Sequence, residues 1–183
     1  MKFFLLIIGF LLSLSCFSQG DKAAVEITPE IETKIWNDIG GLIPEFKKKL
    51  AEQHLNRVQM EFTIDTFKVE KFMEKYIKLN YTDAGMSEGT YAGAHLYDSL
   101  LNKYYKKLIA VLKPADKTIL IQAQRAWLSF RDSETKLVEI ISKDEYSGGG
   151  TIQRLTESGE YLNMLKGRTI AIFYHYARAT QSE

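Results

Sequence analysis

The sequence predicts an all-α protein, a helical bundle built on a long antiparallel helical hairpin with additional helices N-terminal to it. Three observations carry that expectation. From residue 28 onward the apolar residues recur three and four apart, the period of a helix that buries one face. The three prolines, Pro29, Pro44 and Pro114, sit where helices would begin or break. No stretch alternates long enough to make a convincing strand, and the nearest approach, EFTIDTF at 61–67, is short.

Taken in order, the first helical region starts at Thr28 as N-cap, with Pro29 at the first helical position and Glu30 and Glu32 in the first turn. Its apolar stripe is Ile31, Ile35, Ile39, Leu42, Phe46 and Leu50, and Gly40, Gly41 and Pro44 are expected to kink or break it. A second helix is expected from Asp65 or Thr66 to about Asn80. YTDAGMSEGT reads as a loop, with Ser87 or Thr90 capping a third helix that runs to about Leu112. KPADK is a tight turn, because Pro114 can start a helix but not continue one. A long fourth helix follows, from about Ala115 to Ser142. KDEYSGGGT is the expected flexible connector, since three consecutive glycines do not suit a helix interior. A last helix runs to about Tyr176. The short turn at Pro114 makes the third and fourth helices antiparallel neighbours, while the sequence leaves open whether residues 28–80 join that bundle or stand apart.

Residues 1–18, MKFFLLIIGFLLSLSCFS, form a signal peptide pattern: Lys2, then a dozen apolar residues, then small residues at Cys16 and Ser18. Cleavage after Ser18 gives a secreted or periplasmic protein without cysteine. The alternative is cleavage before Cys16 and a lipid anchor on it, although Ser13, Leu14 and Ser15 fit the lipoprotein signal poorly. The domain plan is therefore a signal peptide at 1–18, an N-terminal helical extension at 19–90 and a helical domain at 91–180.

Composition narrows function by exclusion. The chain of 183 residues has 24 basic and 23 acidic side chains, so it lacks the basic excess that nucleic-acid binding needs. About 165 residues past the leader suffice for a proper core, and 45% apolar content argues against disorder. His54, His95 and His175 are scattered singly, which gives no metal site, and no nucleotide-binding or hydrolase motif is present. Asp132 and Glu134 diverge by about 160° on a helix and make no glycosidase pair. No catalytic residue, metal or cofactor is expected. Lys47, Lys48 and Lys49 read as a solvated helix face.

The informative pattern is on the fourth helix. Leu120, Gln124, Trp127, Arg131, Glu134 and Val138 fall within about 80° of one another at 100° per residue, so half of a core-facing stripe is polar. A buried guanidinium or amide without a partner costs several kcal/mol. Asn102 and Tyr105 on the preceding helix are the expected partners, with Asp98, Glu134 or Asp132 neutralising Arg131. Asp132, about 100° round the helix, is expected to point elsewhere. Arg168 poses the same problem in the last helix, in the row Tyr161, Leu165, Ile172. Two readings stand: a polar network that sets helix register, or a site lined by Trp127, Tyr105, Arg131 and Arg168. On the first, Arg131→Ala should cost about 3 kcal/mol.

These same residues carry a resemblance. Asp98, Leu101, Asn102 and Tyr105, a short turn, then Ala123, Gln124, Trp127, Arg131 and Asp132 follow the pattern D-x-x-LN-x-x-Y … AQ-x-x-W-x-x-x-RD. Together with the GGGT segment and Arg168, this resembles the lysozyme inhibitor LprI-like N-terminal domain family of exported bacterial proteins, over about residues 95–176. Thr135 and Glu160 stand where family members often carry a cysteine pair, so that staple is absent, and Leu165 stands where a threonine is usual. Residues 28–80 have no counterpart in the short pattern. The resemblance implies a small secreted helical domain, a non-enzymatic binding protein whose partner in the envelope is a lysozyme; the competing expectation is a structural or assembly protein of the envelope.

An inhibitor must plug or cover a cleft that holds two carboxylates. The protruding candidate is the loop Asp144, Glu145, Tyr146, Ser147, Gly148, Gly149, Gly150 and Thr151. Its acidic pair suits a basic rim, and Ser147 or Thr151 can offer hydroxyls to the carboxylates. The plainer reading is a helix connector capped at Ser147 and Thr151.

Overall fold

A computed structural model describes residues 24–180, so the expected signal peptide and Cys16 lie outside the described residues. Six helices and no strand appear among them: α1 (Pro29–Ala51), α2 (Arg57–Leu79), α3 (Asp83–Val111), α4 (Pro114–Ile141), α5 (Asp144–Ser147) and α6 (Ile152–Ala179). The all-α expectation holds, with three boundaries moved for identifiable reasons.

Helix α1 starts as read, with the Thr28 hydroxyl accepting from the Ile31 N–H, but it does not break at Pro44. Proline removes only the bond to the carbonyl of Gly40, an exposed residue whose oxygen water can satisfy. Packing of Ile35 and Ile39 before it and Leu50 after it holds both halves in line.

Helix α2 begins eight residues before Asp65. Asn56 and Gln59 form a capping box, each side chain bonded to the other's backbone N–H at 2.9 and 3.0 Å. The strand-like EFTIDTF is simply part of this helix. Helix α3 likewise starts early, capped by Thr82, so most of the expected loop is helical.

The glycines of that segment explain why. Gly85, Gly89 and Gly93 repeat every fourth residue along the α3 face that meets α2. A Cβ on Gly85 would stand 2.5 Å from the Asn80 carbonyl oxygen, and one on Gly89 would stand 2.8 and 2.9 Å from Tyr76 and Ile77. The helix thus accepts the propensity cost of glycine in return for close approach. Gly40, by contrast, has nothing within 4 Å of its would-be Cβ. Gly85→Ala should therefore destabilise by about 1–3 kcal/mol through overpacking, whereas Gly40→Ala should stabilise by about 0.5–1 kcal/mol. Urea unfolding midpoints of the two variants check both signs.

The main pairing differs from the expected α3–α4 hairpin. The tightest partner of α3 is α6, and the two run parallel: Asp83 meets Thr151, Ser87 meets Arg154, Tyr97 meets Thr169 and Tyr104 meets Tyr176. Small buried residues, Ala94, Ser158 and Thr169, let these backbones approach, and the Thr169 hydroxyl donates across to the Tyr97 carbonyl at 3.0 Å. Helix α4 returns antiparallel between them in the chain but leans chiefly on α6, burying only Leu120 fully. The reason is volume: large polar side chains line its inner face and hold it at a distance.

Residues 28–80 join the bundle. Helix α2 supplies Val69 and Met73 to the main core, together with Phe62, which stacks on Phe173 at 3.8 Å. Helix α1 rides on α2 through a smaller cluster of Ile35, Ile39 and Phe72, where Trp36 stacks on Phe72 at 4.7 Å.

A polar ladder locks α2 to α3 and α6. Tyr97 and Tyr104 are buried in α3, yet each hydroxyl donates to a carboxylate on α2: Tyr97 to Glu70 at 2.6 Å and Tyr104 to Asp65 at 2.7 Å. Lys103 pairs with Asp65 and Glu61, Lys107 with Glu61, and Lys166 of α6 with Glu70. Burial first, then the carboxylate beside it, pushes each tyrosine hydroxyl well above the ordinary phenol value.

Candidate functional site

The pattern residues fall on three helices, and the structure brings four of them together. On α4, Gln124, Trp127 and Arg131 share the side that faces α6, as their spacing requires. From α6, the Arg168 Nε donates to Gln124 Oε1 at 3.0 Å. The Trp127 ring takes two guanidinium groups, Arg168 at 5.8 Å and Arg131 at 5.6 Å from its centroid. Gln124 and Trp127 are thus the partners of Arg168, linking the last helix to the fourth.

Arg131 finds its carboxylate next door. Its Nε and Nη2 both donate to Asp132 Oδ1, at 2.9 and 2.7 Å. Of the three carboxylates expected to neutralise Arg131, Asp98, Glu134 and Asp132, it is Asp132 that does so, and the expectation that Asp132 points elsewhere is corrected: a 100° offset at the Cα is spanned by the length of the arginine side chain. The Asp132 side chain is 60% exposed and that of Arg131 21%, so water reaches the pair from the carboxylate side and weakens it. Arg131→Ala is accordingly expected to cost about 1 kcal/mol, stacking on Trp127 included, instead of the 3 expected for a buried ion. Thermal unfolding of the variant checks this.

Arg168 is the more constrained cation. Burial lowers its pKa, and no carboxylate among the described residues forms an ion pair with it.

The α3 residues do not join this network. Leu101 is buried in the core, while the Asn102 amide donates to the carbonyl and carboxylate of Asp98 in its own helix, at 3.0 and 3.1 Å. Tyr105 packs against the core edge. With Gln124 these residues border a groove of about 280 Å³ between α3 and α4, and no hydrogen bond crosses it from Asn102 or Tyr105 among the described residues. The expected cross-helix partnership is corrected: the third and fourth helices stand too far apart, and the arginine of α6 fills the role.

The connector loop is more ordered than its glycines suggest. Asp144–Ser147 form the single turn α5, and Gly148, Gly149 and Gly150 follow with φ of 75°, 74° and 93°, a region that disfavours any residue with a Cβ. The Ser147 hydroxyl donates to the carbonyls of Ser142 and Lys143 at the end of α4 and accepts from the Gly149 N–H. Thr151 stands at the N-cap position of α6 without a capping bond, and its hydroxyl instead donates to the Asp83 carboxylate of α3. Both hydroxyls are therefore committed internally. Asp144, Glu145 and Tyr146 remain exposed, Tyr146 by 61%.

Sequence reasoning missed two features. The tyrosine–carboxylate ladder had a signal in Tyr97 and Tyr104, seven apart on one helix face, but their partners lie 27 and 39 residues away in sequence. The second is an apolar groove where α3 and α6 end and α4 begins, which no local pattern marks.

Among the described residues, no group of three or more His, Cys, Asp or Glu side chains is placed to hold a metal ion. No described helix is long and apolar enough to cross a membrane. In comparisons with known proteins, the family model described as lysozyme inhibitor LprI matches residues 78–171, just over half of the 183-residue chain. No curated protein and no solved structure matches it.

Proposed function

The chain belongs to the lysozyme inhibitor LprI family, and from that premise we propose that it is an exported, non-enzymatic helical protein that binds a lysozyme and occludes its cleft. The observation that carries this reading is the family match itself, which spans α3 to most of α6 and includes the Gln124–Trp127–Arg131–Arg168 assembly. That assembly is structural: it ties the helices that frame the loop. Residues 91–180 carry the binding unit, residues 19–90 precede it and share α3 and the main core with it, and residues 1–18 are the leader that directs export, with a lipid anchor at Cys16 the alternative route to the envelope.

The contact to lysozyme is assigned to Asp144, Glu145 and Tyr146. They are exposed on a turn anchored by Ser147, Gly148, Gly149, Gly150 and Thr151, the Asp144 carboxylate lying against Gly149, so little ordering entropy is lost on binding. An acidic pair with a neighbouring aromatic suits the basic rim of a glycan-cleaving cleft. A purely structural role in the envelope is the second reading, favoured by one observation: the Ser147 and Thr151 hydroxyls are already engaged within the chain.

Titrating the protein into turnover assays of several lysozyme types tests the proposal. Stoichiometric loss of rate with a complex on size exclusion supports it; full rate at saturation with every lysozyme, and no complex, leaves the structural reading. The double variant Asp144→Ala, Glu145→Ala should weaken inhibition by about tenfold with a nearly unchanged thermal midpoint, as befits exposed residues. Loss of folding instead would make the turn a structural element.

A further inference from the structure

A groove of about 620 Å³ opens at the end of the bundle where α3 and α6 finish and α4 begins. Its size lies in the range that holds a small ligand. The walls are apolar: Leu108 from α3 and Leu112 just after it, Ile119, Leu120 and Ala123 from α4, and Ile172 from α6. Ile119 is 65% exposed beside the buried Leu120, which leaves aliphatic surface in water at a cost. The polar lining is asymmetric. Arg168, His175 and Arg178 enter from α6, against the single carboxylate of Asp116 in the first turn of α4.

Arg168 is the decisive residue. Its Nε is bonded to Gln124, which leaves both terminal nitrogens without a protein acceptor among the described residues. A half-buried guanidinium normally has a counter-charge, because burial without one is expensive. Here the wall beside it is hydrocarbon, where an anion would be bound more strongly than in water.

We propose that this groove binds a single-chain amphiphilic anion, with a carboxylate head on the Arg168 guanidinium and an alkyl tail along Leu112, Ile119 and Ile172. Guanidinium matches carboxylate as a two-bond fork. The concave shape suits a monomeric amphiphile better than the face of a bilayer. The site is separate from the lysozyme contact, since α4, some 40 Å long at 1.5 Å per residue, runs between the groove and the Asp144–Thr151 turn.

Palmitate below its micellar concentration is the probe, hexadecanol its uncharged analogue, and fluorescence of Trp127, which stacks on Arg168, the readout in a Trp36→Phe background. Saturable one-to-one binding of palmitate, at least about tenfold tighter than hexadecanol, is expected for a charge-assisted contact. Arg168→Gln should remove that preference while leaving hexadecanol binding in place. Ala123→Phe, at an exposed wall position, should fill the groove and abolish both. If Arg168→Gln fails to fold by circular dichroism, the palmitate-to-hexadecanol preference of the parent protein and its loss in Ala123→Phe carry the test. Equal binding of palmitate and hexadecanol, insensitivity to the groove variants, or no binding at all would overturn the proposal. So would binding to phosphatidylglycerol vesicles alone, or a dimer that excludes palmitate by covering the groove with a second copy.

Discussion

Truncating Leu165 to alanine is expected to lower unfolding free energy by about 3–5 kcal/mol, the largest effect of any single substitution considered for this chain. Leu165 is fully buried in α6, within the core that α2, α3, α4 and α6 share. The cost has two parts, lost transfer of the side chain and a cavity that the neighbours cannot fill. Collapse is resisted because the parallel α3–α6 pair is pinned on both sides of the residue. Ser87 donates to the Arg154 carbonyl at one end, and Thr169 donates to the Tyr97 carbonyl at the other. In a domain of this size the thermal midpoint should fall by roughly 10 °C or more. A fall under about 1 kcal/mol in urea unfolding would mean that the two helices close over the gap, and that their pairing is far softer than the buried threonine and serine contacts indicate.

The second large effect is alkaline. Tyr97 and Tyr104 donate their hydroxyl protons to Glu70 and Asp65 from buried positions. Burial and the adjacent carboxylate raise both pKa values above that of a free phenol, which is near 10. A group whose pKa is higher in the folded state binds its proton more tightly there. Its contribution to stability is complete below the unfolded value near 10 and is lost as pH rises beyond it. The protein should therefore hold its stability through neutral pH and unfold in alkali. In difference absorbance these two phenols should ionise only as helical ellipticity disappears. The variant Tyr97→Phe, Tyr104→Phe should lack the late step. Its presence in the variant would assign it to other tyrosines. Removing an acceptor is harsher than removing a donor: Asp65→Ala leaves the Tyr104 hydroxyl buried without a partner, at about 1–3 kcal/mol.

The two predictions probe different adhesives. Leu165 reports on apolar packing between α3 and α6, and the tyrosine pair on a polar clamp from α2 onto α3. Helix α4, with one fully buried residue, depends on neither and hangs on the Arg168–Gln124–Trp127 contact. It is the helix that should exchange amide protons first, and it frames both the turn assigned to lysozyme and the apolar groove.

How much of this was legible differs from element to element. Thr28-Pro29, Pro114 and the glycine run at 148–150 punctuate the chain by local sterics, so the start of α1, the span of α4 and the place of the connector, though not its order, are legible. The start of α2 is harder to read because a strand-like run follows the Asn56–Gln59 capping box. The start of α3 is hidden because glycines that serve close packing resemble glycines that serve a turn. Gln124, Trp127 and Arg131 were identified as residues needing partners. The partner proved to be Arg168 on α6 in place of Asn102 or Tyr105 on α3, and Asp132 proved to be the counter-ion of Arg131.

The division follows from range. Helix content, helix period and the φ > 0 turn at Gly148–Gly150 depend on each residue and its neighbours within a turn or two, and the chain written out as letters already contains that information. Which helices touch depends on volumes meeting across dozens of residues: Gly85, Gly89 and Gly93 admitting α2, Ala94, Ser158 and Thr169 admitting α6, and bulky Trp127 and Arg131 holding α4 away. Those choices are made only when the faces close on one another, because contact energy is a property of the fitted pair and not of either helix alone.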